Sequence, residues 1–167
     1  MMKLIHTSLL VTILMISGCG FHLRGSHTNL PWLKSVAIIN NANKNIKPII
    51  IEELKNNNVD VTDNIEKSNY WLIIESDSFE EKILSISSST TPRQYQLIYT
   101  VIFKLQKTNG EEVISPGKII ITRVVTINSN RILGSNDEVD HFKNEMIKDS
   151  VIQILYRLSR GAISVTH

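Results

Sequence analysis

The side chains available for chemistry in this chain are one thiol and a small group of cations. The thiol is Cys19, the single cysteine, preceded by Ile16-Ser17-Gly18 and followed by Gly20-Phe21-His22-Leu23-Arg24. With no second cysteine it has no disulfide to form, which leaves covalent modification or life as a free thiol. The cations are Arg93, Lys118, Arg123 and Arg131. Both residue types give charge-assisted hydrogen bonds to phosphate, and Arg gives them bidentately. Ordinary solvated charge is the plainer reading of any one of them. Other chemistry finds little support. His6, His22, His27, His141 and His167 are scattered, and no cysteine or carboxylate joins them at metal-ligand spacing. Glu52-Glu53, Glu80-Glu81 and Glu111-Glu112 are adjacent in sequence; neighbours on a strand point to opposite faces, so these pairs make no acid–base dyad. No glycine-rich phosphate loop follows a strand, and no G-x-S-x-G motif is present. The chain therefore reads as a non-enzyme with no metal and no cofactor.

The surroundings of Cys19 decide its reading. Lys3 supplies a positive start, Leu9 to Ile16 an apolar run interrupted only by Thr12, and Ser17-Gly18 the small residues before a cleavage point. The run is too short to span a bilayer stably, which takes about 20 apolar residues. Residues 1–18 are expected to be a signal peptide that is cut away. The order apolar, small, Gly, Cys resembles the bacterial lipobox. That resemblance implies an S-diacylglycerol on the Cys19 thiol and an N-palmitoyl group on its new amine. A free thiol behind an ordinary secretory site is the alternative. Each buried methylene adds about 0.8 kcal/mol, and one chain alone holds only marginally, so several chains anchor durably. Lipoproteins kept in the inner membrane commonly carry Asp after the cysteine; Gly20 here favours the outer membrane, reached from the periplasm.

The elements that must position the remaining groups follow from pattern. The 167 residues, with 18 basic against 16 acidic side chains and 42% hydrophobic content, suit one globular domain with one core, expected over 33–167 behind a lipidated lead at 19–32. A net charge of +2 does not mark a nucleic-acid binder. Val36-Ala37-Ile38-Ile39 is a buried strand. A helix follows, with Asn45 as N-cap, Pro48 in the first turn, Ile46, Ile49, Ile50 and Leu54 on one face, and Asn56-Asn57-Asn58 as its end. Tyr70 to Ile86 is a long strand whose first half should be buried on both sides, and Ser85 to Pro92 a loop. Gln94 to Lys107 alternates, with Tyr95, Leu97, Tyr99, Val101, Phe103 and Leu105 on one face. Asn109-Gly110 predicts a type I′ hairpin, and Pro116-Gly117 a bulge in the returning strand, where Ile119, Ile121, Val125 and Ile127 share a face with Arg123. Ser135 with Glu138 is a capping-box pattern. It opens a helix whose apolar positions from Val139 to Leu158 keep helical spacing until Gly161. The order β-α-β-β-β-α predicts an α+β fold: a four-stranded, mostly antiparallel sheet with two helices over one face.

Cys19-Gly20-Phe21-His22-Leu23-Arg24, the Arg93-Gln94-Tyr95-Gln96-Leu97 opening of a strand, and Asp137-Glu138 at the start of a long final helix containing Glu145-Met146 together resemble the LptE family of lipopolysaccharide-assembly lipoproteins. The resemblance covers nearly the whole chain after Cys19, and the Cys-Gly-aromatic-His-Leu-Arg run is its most specific part. It implies a non-enzymatic partner that plugs the outer-membrane β-barrel LptD and binds lipopolysaccharide. It also implies that basic loop residues at one end of the sheet meet lipid phosphates, for which Arg93 and Arg131 are the first candidates here, then Arg123 and Lys118. A free-standing lipoprotein that faces the periplasm and binds another envelope ligand is the alternative.

Overall fold

The computed structural model describes residues 30–85, 93–127 and 135–161. The chain runs β1 (Ser35–Asn40), α1 (Ile46–Asn56), β2 (Asp60–Thr62), a single 3₁₀ turn (Ile65–Lys67), β3 (Tyr70–Ser85), β4 (Arg93–Lys107), β5 (Glu112–Ile127) and α2 (Ser135–Gly161). The strands form one sheet in the order β2-β1-β3-β4-β5. β1 is parallel to both its neighbours, while β3, β4 and β5 are successively antiparallel. The architecture is the expected α+β sheet with two helices, but the sheet has five strands rather than four. The added strand, β2, is three residues long and polar at both ends, too short to show a period of two.

Helix α1 buries Ile46, Ile50 and Leu54. Its start differs from the expected cap: the Asn45 side chain makes no capping hydrogen bond and the residue is already helical. The upstream asparagines hold the turn instead. Asn43 Oδ1 accepts from Asn45 N at 3.0 Å, and the Asn40 side chain accepts from Ala42 N at 3.3 Å and donates to Asn43 O at 3.2 Å. The C-terminus ends as the asparagine run predicts. Asn58 takes φ 58°, its N–H bonds Lys55 O, and Val59 N–H bonds Leu54 O at 3.0 Å. This is a Schellman closure, with Val59 and Leu54 both buried beside it.

The three long strands carry the core. Leu97, Tyr99, Val101, Phe103 and Leu105 of β4 are all fully buried, as the alternation predicts. They face Met146, Ile147, Val151, Ile154, Leu155 and Leu158 of α2 in the same apolar cluster. The opposite face has no second layer among the described residues. Trp71 and Ile73 are consequently only half-buried, which corrects the expectation that the first half of β3 is covered on both sides. A register shift between Ile74 and Ser76 then leaves Glu75 unpaired and reverses the faces of β3. Leu72 and Ile74 point into the core before it; Asp77 and Phe79 stand opposite Val101 and Tyr99 after it.

The β4–β5 hairpin also departs from expectation. Gly110 has φ 87°, but Asn109 does not share the positive φ that a type I′ turn requires. Gly110 N–H bonds Lys107 O at 2.9 Å and Lys107 N–H bonds Glu111 O at 2.8 Å, closing a three-residue loop that ends on a left-handed glycine. Further along, Phe103 pairs Gly117 and Leu105 pairs Ile114, so an extra residue bulges out at Ser115-Pro116 as predicted. A Cβ on Gly117 would lie 2.7 Å from Arg157 Nη1; the bare glycine lets that guanidinium lie over the Phe103 ring, 6.0 Å from its centroid. The Ser135 side chain of the capping-box pattern and the loop from 86 to 92 fall outside the described residues.

Asp77 is the polar group that the β3 bulge at Glu75 turns inward. Its Oδ2 accepts from the buried Tyr99 hydroxyl at 2.9 Å and its Oδ1 from Asn43 N at 2.8 Å, joining β3, β4 and the turn before α1. Burial, and then the hydrogen bond to Asp77, push the Tyr99 phenol far above its ordinary range, so it stays a donor at any working pH. Tyr99→Phe removes one hydrogen bond to a charged acceptor and should cost about 1.5–3 kcal/mol. Urea unfolding should show a lower midpoint with an unchanged slope; an unchanged midpoint would mean that the link carries no stability.

Candidate functional site

The sheet register sorts the candidate cations by position. Arg93 opens β4 opposite Ile127, Arg123 stands opposite Leu97, and Lys118 opposite Ile102. At about 3.3 Å per residue, Arg123 is about 13 Å along β4 from the level of Arg93, and Lys118 about 30 Å. Directly opposed residues share a face, so Arg123 lies on the helix-covered side with Leu97, and Lys118 on the open side with Ile102. The structure thus separates Lys118 from Arg123 by face and from the Arg93 end of β4 by distance. Arg131, Cys19 and the Arg93 side chain lie outside the described residues.

Arg123 is held in place by α2. Its Nη2 donates to Asp149 Oδ2 at 2.7 Å and its Nη1 to Glu145 Oε2. Glu145 and Asp149 are one helical turn apart, which puts both carboxylates on the same face of α2. His141 Nε2 lies 3.3 Å from Glu145 Oε1. The hydrogen bonds that it donates to Asp149, and then to Glu145, raise the guanidinium further above its usual range. The Arg123 contact holds Glu145 below the ordinary glutamate range. The guanidinium joins the edge strand to the helix, and a phosphate at this point would have to compete with two carboxylates. Sequence pattern marked Arg123 as an anion binder; the i, i+4 acids of α2 were the signal for its partners.

The uncovered face of the sheet is the second surface. Ile98 and Ile102 of β4 are half-buried there, beside Ile120 and Val124 of β5, which are 52% and 58% exposed. Ser76 and Glu80 of β3 and Lys118 and Thr122 of β5 are their opposed neighbours. Reading β4 as apolar on one face and polar on the other hid these isoleucines, although they recur four residues apart on the polar side. Among the described residues no group of three His, Cys, Asp or Glu side chains is placed to hold a metal, and no helix is long and apolar enough to cross a membrane.

A family model described as lipopolysaccharide-assembly, LptE, matches residues 33–158. Among solved structures, an uncharacterized lipoprotein B from Nitrosomonas europaea is 29% identical with a TM-score of 0.69, covering 89% of this chain and 94% of its own. The rare lipoprotein B of Shewanella oneidensis is similar at 23% identity and a TM-score of 0.68, covering 80% of this chain and 100% of its own. A minor lipoprotein of Acinetobacter baumannii shares the fold at 16% identity and a TM-score of 0.64, over 78% of this chain and 93% of its own. No curated protein sequence matches the chain.

The Arg123 clamp has a pH signature. Because the folded Glu145 carboxyl titrates below its unfolded value, its contribution is fully present above the ordinary glutamate range and is lost as pH falls through the lowered value. Glu145→Gln should therefore melt below the wild type at pH 7, and the gap should close as pH falls below the ordinary glutamate range. Differential scanning calorimetry across that range decides it; a gap that stays constant with pH would mean the substitution acts through packing rather than charge.

Proposed function

The chain belongs to the LptE lipopolysaccharide-assembly family, and from that premise we propose that it is a non-enzymatic lipoprotein of the outer membrane that plugs the LptD β-barrel and binds lipopolysaccharide there. The proposal includes a signal peptide over 1–18 and lipidation at Cys19. The observation that carries it is the one-sided sheet: two helices cover one face, while the other leaves Trp71, Ile73, Ile98, Ile102, Ile120 and Val124 partly exposed among serines, threonines and charges. A mixed surface of this kind suits a partner's wall better than bulk water.

The long axis supports the same reading. β3 and β5 have 16 residues each and β4 has 15, about 50 Å of strand, against about 40–45 Å for a bilayer with its headgroups. The described chain begins at buried Leu30 and Leu33 and enters β1 beside Tyr70, which pairs Lys107 at the hairpin end. Arg93 and Ile127 pair at the opposite end, and Arg131 belongs to the segment that follows Ile127. A tether at one end and basic residues at the other suit a plug that takes lipid phosphates at its far end. Lys118 and Arg123 contribute less to that site: one lies far along the strand and the other is engaged by α2.

Two measurements test this. The native lipoprotein, purified in mild detergent, should bring down a very large β-barrel subunit, and the Ile98→Lys, Ile102→Glu double variant should recover at least tenfold less of it with little change in unfolding midpoint. Migration of the wild type alone under every salt condition would end the plug reading. For the lipid, lipopolysaccharide titrated against the protein should bind more weakly as salt rises. The Arg93→Ala, Arg131→Ala double variant should lose about 1.5–3 kcal/mol for each charged contact removed. Unchanged affinity in that variant would move the site elsewhere, and indifference to salt would assign binding to the acyl chains.

A further inference from the structure

Strand β5 lies at one edge of the sheet, paired only with β4 among the described residues. The Lys118 carbonyl shows which way its backbone points beyond the bulge: it accepts from Arg157 Nη2 of α2 at 2.8 Å. Residues of even number in this stretch therefore turn their N–H and C=O groups away from β4, and by alternation Ile120, Thr122 and Val124 do the same. No described strand pairs with them. Natural edges are blunted by proline, lysine or a covering element. Among the described residues that protection is confined to Pro116-Gly117-Lys118. From Ile119 to Val125 the one charge is Arg123, and it is occupied by α2.

A shallow depression adjoins this open stretch, lined by Ile120, Thr122 and Arg123 on the strand and by Asp149, Ile152 and Gln153 on the helix. Ile152 in this lining is 41% exposed, and Tyr156, one turn further along α2, is 54% exposed. At the blunted end cations stand on both faces of the edge: Lys118 on the open side, and Arg157 and Arg160 on α2. Arg157 bonds the Lys118 carbonyl, and the Arg160 guanidinium lies over the Tyr156 ring, 5.3 Å from its centroid. Lys118, Arg157 and Arg160 make no ion pair with a carboxylate among the described residues.

We propose that the groove between β5 and α2 receives an extended segment of a partner protein, added antiparallel to β5 as a sixth strand, with acidic residues at its C-terminal end beside Lys118, Arg157 and Arg160. Backbone pairing to Ile120, Thr122 and Val124 supplies affinity, and alternate β-branched side chains of the segment pack on Ile152 and Tyr156. Antiparallel pairing continues the β4–β5 pattern and is slightly the stronger mode. These cations, with no carboxylate partner among the described residues, specify the acidic end. They also argue against a second copy of this chain: pairing two β5 strands about Thr122 would set Lys118 opposite Thr126 and leave the cations unmatched. A closed barrel wall has no free edge, so the segment comes from outside any such wall. The inference stands apart from the barrel and lipid readings, because its residues lie on the sheet edge rather than at its central face or its Arg93 end.

The test uses the full lipoprotein in mild detergent and a fluorescent, end-blocked heptapeptide, Thr-Val-Thr-Val-Thr-Asp-Glu. This probe should bind saturably, and a probe ending in Lys-Lys should bind at least tenfold more weakly. N-methylating alternate residues that face β5 should abolish binding without any change to the protein. Thr122→Pro should weaken the acidic probe at least tenfold with little change in unfolding midpoint, since the lost N–H faces outward. Lys118→Glu with Arg160→Glu should reverse the preference between the acidic and lysine probes. Lack of saturable binding, equal binding of the N-methylated probe, or a concentration-dependent dimer that excludes the peptide would overturn the proposal.

Discussion

The structure depends on a single seam: the apolar stripe of α2 laid along the inner face of β4 and β5. Met146, Ile147, Val151, Ile154, Leu155 and Leu158 are buried with Leu97, Tyr99, Val101, Phe103 and Leu105. At 27 residues and about 1.5 Å per residue, α2 is about 40 Å long, close to the length of the strands beneath it. A helix that long can follow the sheet but cover only part of its width, and α1 covers the region of β1. Two helices are spent on one face, and nothing in the described chain remains for the other. The exposed isoleucines and valine of the open face and the free outer side of β5 both follow from that allocation.

Polar groups inside the seam stabilise it only because each has a partner. A bulge at Glu75 turns Asp77 inward, and the carboxylate is satisfied by the Tyr99 hydroxyl and Asn43 N–H. Arg123 interrupts the apolar face of β5 and is met by Glu145 and Asp149 from the helix above. Trp32 differs. Its ring packs edge-on against Tyr70 at 5.4 Å, while its Nε1 is buried with no acceptor among the described residues. An unmet donor of this kind costs about 1–3 kcal/mol.

The cations illustrate why residue type alone does not define a site. Arg93, Lys118, Arg123 and Arg131 are equivalent as a list of charges. In the fold, one is engaged with two carboxylates, one stands on the other face far along the strand, and Arg93 opens β4 at the end of the sheet. Meanwhile Arg157 of α2 reaches the Lys118 carbonyl at the strand edge. That grouping joins residues about 40 apart in sequence and exists only because α2 runs back along β5.

Local periodicity was enough for several elements, because a pattern written in consecutive residues needs no distant partner to be read. The alternation of β4, the apolar repeat of α2, the asparagine stop of α1 and the Pro116-Gly117 bulge are of this kind, as is the resemblance carried by Cys19-Gly20-Phe21-His22-Leu23-Arg24. The rest required contacts between distant segments. The strand β2 exists because β1 offers it an edge, and the faces of β3 switch because a bulge absorbs Glu75 against β4. The hairpin uses a three-residue loop because Lys107, rather than Thr108, pairs Glu111. Whether the first half of β3 was covered on two sides or one, and whether Arg123 was free or engaged, depended on where α2 lay. Sequence periodicity records which face of an element is apolar; only tertiary packing decides whether another layer arrives to cover it.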